Sequence, residues 1–332
     1  MKFFKNIYKP ILSFIIISAG LYIFFKDVEV SNLIQELKST NIMSIIGGCF
    51  CLITSLFLRS LRWKILLPGK AGTNKNLLFS NITIGFMVNN ILPARIGELT
   101  RAFLLWQKNN YPISICIGSL IVERLIDSMV FLSFFIIPVY FLPQCKDLKI
   151  YAHIALIMIM TGIICAFFYI ILQNTAIRTG NLLIAKFPEK FRVKILKIGN
   201  ELASTLDWFY SIRKFFIVVI LSILIGACFS FIIILLVDKT SMPFGLLEGI
   251  FVQSYAAFGA AIPLSPGYIG TLHAVMLQGL NIIGMDGDKA RALAIMYHGL
   301  CYIVINILGL YFLFKIKLSF KDIFSVRKKM NR

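Results

Sequence analysis

The chain has 332 residues, 58% of them hydrophobic and only 15% charged, with 30 Phe and a mean hydropathy of +0.84. Soluble domains carry roughly 25% charged residues, and a water-exposed surface drawn from this composition would hold large apolar patches. A disordered chain is excluded on the same ground. The 34 Lys and Arg against 15 Asp and Glu give a net charge of +19, which in a soluble chain would point to nucleic acid. In a membrane chain such an excess gathers on the cytoplasmic side.

Crossing a hydrocarbon layer of about 30 Å takes about 20 apolar residues in a helix. In chain order, six full crossings are predicted at 8–25, 42–58, 112–142, 151–172, 215–237 and 292–314. Two further apolar stretches, 77–105 and 246–283, have the length of helical hairpins and carry Pro and polar residues at their centres. They are predicted as re-entrant hairpins. The expected fold is thus an all-α polytopic membrane protein, a single membrane domain over 1–332 with both termini cytoplasmic and a multi-pass place in the cell membrane.

The charges test this topology. Segments assigned to the cytoplasm hold 24 of the 34 cations, Arg59 and Arg62 among them, and outer segments hold 7. Arg95, Arg101 and Arg124 remain, in or beside apolar segments. That asymmetry favours cytoplasmic termini and accounts for the +19 without nucleic acid. The N-terminal segment has a basic start and an apolar run but no small-x-small pattern before Lys26 and Asp27, so it is expected to be a retained signal anchor. The seven cysteines make no metal spacing and read as small buried hydrophobes.

The longest polar stretch is 173–214. Within it Phe191, Ile195, Ile198, Leu202, Leu206 and Phe209 follow a helical period beside Lys190, Arg192, Lys194 and Lys197. That pattern fits either an interfacial helix on an anionic leaflet or a cytoplasmic helix packed on the bundle. A basic tail follows at 315–332.

The two hairpins match each other. NNILPARIGELTRAFLL, 89–105, and AIPLSPGYIGTLHAVML, 261–277, align at a constant offset of 173, pairing Pro93 with Pro266, Ile96 with Ile269, Gly97 with Gly270 and Leu99 with Leu272. With the first hairpin entering from the cytoplasm and the second from outside, the repeat is inverted, with halves at about 77–142 and 246–314. Many transporters build one central site in this way. Ser265 before Pro266 is expected to cap the second half-helix, and Asn90 or Leu92 before Pro93 the corresponding one. Their N-termini would then meet near the midplane, where free N–H groups and helix dipoles suit an anion. Pro93, Gly97, Pro266, Gly267 and Gly270 are expected to shape the hairpins.

Arg95, Glu98 and Arg101 lie three apart on one helical face, and the following VERLID places Glu123 and Asp127 on one face with Arg124 beside them. Charges alone in hydrocarbon are expensive, so these six, summing to zero, are expected to pair. A neutral clamp between hairpin and helix is one reading. The other is that Arg95 or Arg101 exchanges its carboxylate for a lipid phosphate, which guanidinium also binds bidentately. His298, at an offset of 175 from Glu123, and His273 could carry a proton or bind an anion, or serve as hydrogen-bonded packing residues.

With these residues in hand, the chain resembles the flippase-like membrane family known as the lysylphosphatidylglycerol synthase transmembrane region, over nearly its whole length. The carriers are NNILPARIGELTRAFLL, ERLID and PLSPGYIGTLHAVML. It departs from the family pattern at Tyr268, where a second Gly is usual, at His273, where an acidic residue is often near, and at Tyr297 and His298, where an Arg often stands beside a Tyr. In larger relatives the region is fused to a cytosolic domain that transfers an aminoacyl group from tRNA to phosphatidylglycerol, and is thought to move the product between leaflets; no stretch here accommodates such a domain.

The resemblance implies a translocase for an anionic phospholipid or polyprenyl-phosphate-linked lipid; from their own chemistry, Arg95, Glu98, Arg101, Glu123, Arg124, Asp127 and His298 are the residues expected to bind or gate the headgroup. No nucleotide loop or metal cluster is legible, so no cofactor is expected and an enzyme is not. Two alternatives stand beside it. One is a membrane-embedded headgroup transferase using Glu98 or Asp127 as general base, including the phosphatidylglycerol lysyltransferase activity that the family name suggests. The other is a non-transporting scaffold for cytosolic or membrane glycosyltransferases.

Overall fold

The computed structural model describes residues 18, 20–22, 24–25, 30–69, 75–92, 95–184, 188–237, 244–261, 265–285 and 287–317. Among them eleven α-helices follow one another with no strand: α1 Val30–Ser39, α2 Ile42–Leu66, α3 Lys75–Ile91, α4 Ile96–Asn109, α5 Ile113–Phe141, α6 Lys149–Ile184, α7 Glu189–Ser204, α8 Ile212–Leu236, α9 Leu246–Ala261, α10 Thr271–Ile282 and α11 Gly287–Lys315. Short 3-10 turns stand at Pro143–Leu148, Asp207–Tyr210 and Pro266–Tyr268. Most of the predicted crossing at 8–25, Pro93 and the tail from residue 318 lie outside the described residues.

Among the described residues four stretches are long and apolar enough to cross a membrane: Ile42–Leu66, Pro143–Cys165, Ile212–Leu236 and Gly287–Lys315. The predicted crossing at 112–142 forms the 29-residue α5, about 44 Å long at 1.5 Å per residue, with Glu123, Arg124 and Asp127 in its first half. Side chains on the perimeter are greasy: Phe50, Ile157, Met158, Phe216, Ile303 and Phe314 are all largely exposed. A surface of that kind requires a lipid solvent, and the protein is a multi-pass membrane protein.

Two boundaries differ from expectation. The second crossing was expected to end at 58, but α2 continues to Leu66, because Leu52, Leu56, Trp63 and Leu66 keep one face buried beyond the first arginine. Helix α6 runs on to Ile184, so the first part of the predicted polar segment at 173–214 extends an apolar helix. The periodic segment beyond it forms α7, which packs on α5 while Phe191, Ile195, Ile198 and Leu202 remain exposed.

Helices α3 and α4 pack on each other, as do α9 and α10, giving two helical hairpins. Around them α2 lies along α8, α5 packs on α9, and α11 packs on both α3 and α10. In the first hairpin the helices approach backbone to backbone: a Cβ on Gly97 would run into the carbonyl oxygen of Gly85. Glycine at 97 is what lets α4 lie so close to α3. One large core surrounds the second hairpin, built from α5, α8, α9, α10 and α11, with Phe251, Val252, Met276 and Leu280 at its centre. Smaller cores around Trp63, Ile82 and Phe103 seat the first.

The tips of the two hairpins touch. Arg95 Nη2 donates to the Ala260 carbonyl at the end of α9 at 2.9 Å, and the Asn90 carbonyl lies against Gly267, where a Cβ would come within 2.8 Å of it. Gly267, with φ of +58°, can adopt the left-handed backbone at that contact.

Candidate functional site

Three helices, α2, α4 and α5, bring their charged residues to one place beside this junction. Glu123 and Asp127, one turn apart on α5, face Arg59 and Arg62, three apart on α2. Arg62 pairs with Asp127 at 2.7 Å and Arg59 with Asp127 at 3.0 Å, and both stand 3.8 Å from Glu123. From α4, Arg101 grips Glu123 with two parallel hydrogen bonds, 3.0 and 2.9 Å. Arg124 donates to Glu123 at 2.6 Å, reaches Asp127 at 3.1 Å and approaches Glu98 at 3.8 Å.

The surroundings keep these groups in place. The Arg101 guanidinium lies 4.4 Å from the Trp63 ring centroid, and Trp63 Nε1 donates to Ser119 Oγ at 3.0 Å. Arg59 sits over the Phe86 ring at 5.5 Å. Arg62 also donates to Ser222 on α8 at 2.9 Å. Such cation–π contacts give a desolvated guanidinium attraction it would otherwise take from water. Because an unpaired buried ion costs several kcal/mol, this packing is tenable only with all the partners present.

Arg59 and Arg62 were expected in a cytoplasmic loop. They are instead buried partners of the two α5 carboxylates, since α2 extends a further two turns. The expected neutral set of six is corrected with them. Arg59, Arg62, Arg101 and Arg124 surround Glu98, Glu123 and Asp127, leaving one positive charge in excess. Arg59 Nε, Arg62 Nε and Nη2 and Arg101 Nε are buried without a hydrogen-bond partner.

Arg95 stands apart from the cluster at the hairpin junction, where the Tyr268 hydroxyl of the opposite tip faces it. Glu98 and Arg124 form the accessible edge, with side chains 24% and 31% exposed, whereas Glu123, Arg62 and Arg101 are buried to 2% or less.

The expected caps are also corrected. Asn90 leaves its Nδ2 unpartnered; it is Asn89 whose Oδ1 accepts the Gly97 N–H at 2.7 Å. Ser265 and Pro266 open a 3-10 turn, and α10 begins later, behind Gly270. Ser265 Oγ is hydrogen-bonded to Thr271 Oγ1 at 3.1 Å, and the Gly270 N–H donates to His273 Nδ1 at 3.4 Å. Side chains thus already occupy N–H groups that the sequence left free for an anion. His298, on α11, packs against the second hairpin, hydrogen-bonded to His273 at 3.0 Å and to the Gly267 carbonyl at 2.8 Å. Among the described residues no three His, Cys, Asp or Glu gather as a metal site.

Exposed apolar helices around paired hairpins and a buried charge cluster define a multi-pass membrane protein with a polar interior. The chain belongs to the family described as the lysylphosphatidylglycerol synthase TM region, which matches residues 11–309. It is similar to two UPF0104 membrane proteins of Methanocaldococcus jannaschii. One is 25% identical over 230 residues, 67% of this chain and 91% of the relative. The other is 24% identical over 330 residues, 93% of this chain and 94% of the relative.

Proposed function

We propose that this protein moves an anionic lipid headgroup, of a phospholipid or a polyprenyl-phosphate-linked lipid, between the leaflets of the cell membrane. In this reading the hairpins are re-entrant and enter from opposite faces, with both termini cytoplasmic. Helices α3, α4, α9 and α10 have 17, 14, 16 and 12 residues, all short of the roughly 20 a crossing needs. Tip-to-tip contact fits two half-membrane elements meeting near the midplane.

The observation that carries the proposal is the edge formed by Arg124, Glu98, Arg95 and Tyr268. Arg124 meets Glu98 only at 3.8 Å and in partial exposure, an interaction worth about 0–1 kcal/mol. A phosphate, which guanidinium binds through charge-assisted and often bidentate hydrogen bonds, displaces Glu98 at small cost. It also meets the excess positive charge of the cluster. The Arg101–Glu123 clamp, fully buried and doubly bonded, positions the carboxylates and is not exchanged. That assigns headgroup contact to Arg95 and Arg124, and the framework to Arg59, Arg62, Arg101, Glu123 and Asp127.

The test is leaflet exchange of a fluorescent phosphatidylglycerol in vesicles containing the purified protein. Exchange above protein-free vesicles, lowered at least about tenfold by Arg124→Ala and by Arg95→Ala, is expected, since each guanidinium–phosphate contact is worth 1.4 kcal/mol or more. Exchange equal in both variants and the parent overturns the assignment, and exchange absent from the parent overturns the function.

A further inference from the structure

Two of the chain's three histidines, His273 on α10 of the second hairpin and His298 on α11, touch each other, and their hydrogen bonds admit one arrangement of protons. His298 Nε2 lies 2.8 Å from the Gly267 carbonyl, which only accepts, so Nε2 carries the proton. In the neutral ring His298 Nδ1 is then an acceptor, and His273 Nε2, at 3.0 Å, donates to it. That leaves His273 Nδ1 as the lone pair accepting the Gly270 N–H at 3.4 Å. The chain from Gly270 N–H through both rings to Gly267 O is complete with two ring protons.

A third proton has no neutral place in this chain. Placed on His273 Nδ1, it confronts the Gly270 N–H directly. On His298 Nδ1 it either confronts His273 Nε2–H or makes that nitrogen the acceptor, which moves the His273 proton to Nδ1 and returns the conflict to Gly270. Forming one more N–H bond with a proton from water therefore breaks either the contact between the two rings or the contact at Gly270.

Gly270 is a joint. Its φ is +83° and it stands between the 3-10 turn Pro266–Tyr268 and the start of α10. Gly20 packs so tightly on it that a Cβ there would come within 2.8 Å of the Gly270 carbonyl carbon. The turn it joins carries Gly267 and Tyr268, which face Asn90 and Arg95 of the other hairpin. Among the described residues the aromatic neighbours of the two rings are Phe24, 5.1 Å from His273, and Tyr302, 5.9 Å from His298. Among the described residues no carboxylate or cation bonds either imidazole; Arg95 and Tyr268 are the ionisable groups of the adjoining tips.

We propose that His273 and His298 form a proton-binding dyad that couples proton uptake to movement of the second hairpin's tip, making the proton the coupling ion of the translocation cycle. This rests on the translocase reading and names its energy source.

Two measurements separate the proposals. In lipid nanodiscs, protein labelled with 15N-histidine carries its own reference: His153 Nδ1 faces the Lys149 carbonyl at 2.6 Å, so that ring is protonated at Nδ1. From about pH 8 to about pH 4, the dyad is expected to begin as two Nε2–H rings and to take up one proton jointly, with loss of hydrogen-exchange protection at Gly270. An Nδ1–H His298, or independent titration with Gly270 unchanged, overturns the dyad. In vesicles, a pH difference is expected to speed phosphatidylglycerol exchange about tenfold in the parent, and at most about twofold in His273→Gln and His298→Gln. Exchange that is present and equally pH-responsive in both variants overturns proton coupling and leaves the translocase standing. Absence of exchange in the parent overturns the translocase, and the nitrogen spectrum still decides the dyad.

Discussion

Arg95 and Tyr268 occupy equivalent positions of the two repeats, 173 residues apart; both take the left-handed backbone, at φ of +53° and +60°, and their side chains face each other across the hairpin tips. A bulky L-residue in that region carries local strain of about 1–3 kcal/mol. Comparing Tyr268→Ala with Tyr268→Gly isolates it, because both lose the ring and only glycine removes the steric penalty. The Gly variant is expected to be the more stable by about 1 kcal/mol, read as the difference in unfolding midpoint in mixed micelles. An Ala variant equal to or more stable than the Gly variant contradicts a strained tip.

The charge cluster predicts a sharp contrast between two glutamates. Glu123→Gln keeps the shape but leaves Arg101, Arg124 and the approaching Arg62 short of a buried counter-charge. It is expected to destabilise by about 3–5 kcal/mol. Glu98→Gln removes only a partly exposed partner at 3.8 Å and is expected to change stability by about 1 kcal/mol or less. Equal losses in the same unfolding assay would show that the cluster is not organised around Glu123.

Arg62 and Asp127, 2.7 Å apart with Arg62 fully buried, should behave as a coupled pair. Arg62→Leu and Asp127→Leu each strand a charge, and each is expected to cost about 3 kcal/mol or more. The double variant removes both charges and is expected to fall short of the sum by at least about 1.5 kcal/mol. Strict additivity would mean that Arg59 and Arg124 satisfy Asp127 without Arg62.

The apolar helices, the two helix pairs and the carboxylates on one face of α5 were legible because period and composition act locally. The partners of those carboxylates were not. Arg59 and Arg62 follow an apolar run and so looked like loop cations, although Trp63 and Leu66 continue the buried face around them. A demand that Glu123 and Asp127 find nearby cations, set beside that period, would have drawn them in. The caps failed for a related reason: Asn89 and His273 supply acceptors across a turn, and local spacing favoured Asn90 and Ser265. The histidine dyad joins residues on different helices, where no sequence period links them.

The approach of α3 to α4 makes the last prediction. A methyl group on Gly97 would meet the Gly85 carbonyl oxygen, with Asn89 Oδ1 at 2.6 Å on the other side. Two backbones must part, or the Asn89 cap must open, and Arg101, one turn along α4, moves away from Glu123. Gly97→Ala is therefore expected to destabilise by about 3 kcal/mol, at the upper end of overpacking. It should also raise hydrogen exchange in α4 first, since that helix is held by this contact. Gly299 in α11 provides the control: nothing lies within 4 Å of its would-be Cβ. Gly299→Ala is expected to be neutral or to stabilise by up to about 1 kcal/mol through helix propensity. Equal effects of the two substitutions would place the close approach of the hairpin helices elsewhere than at Gly97.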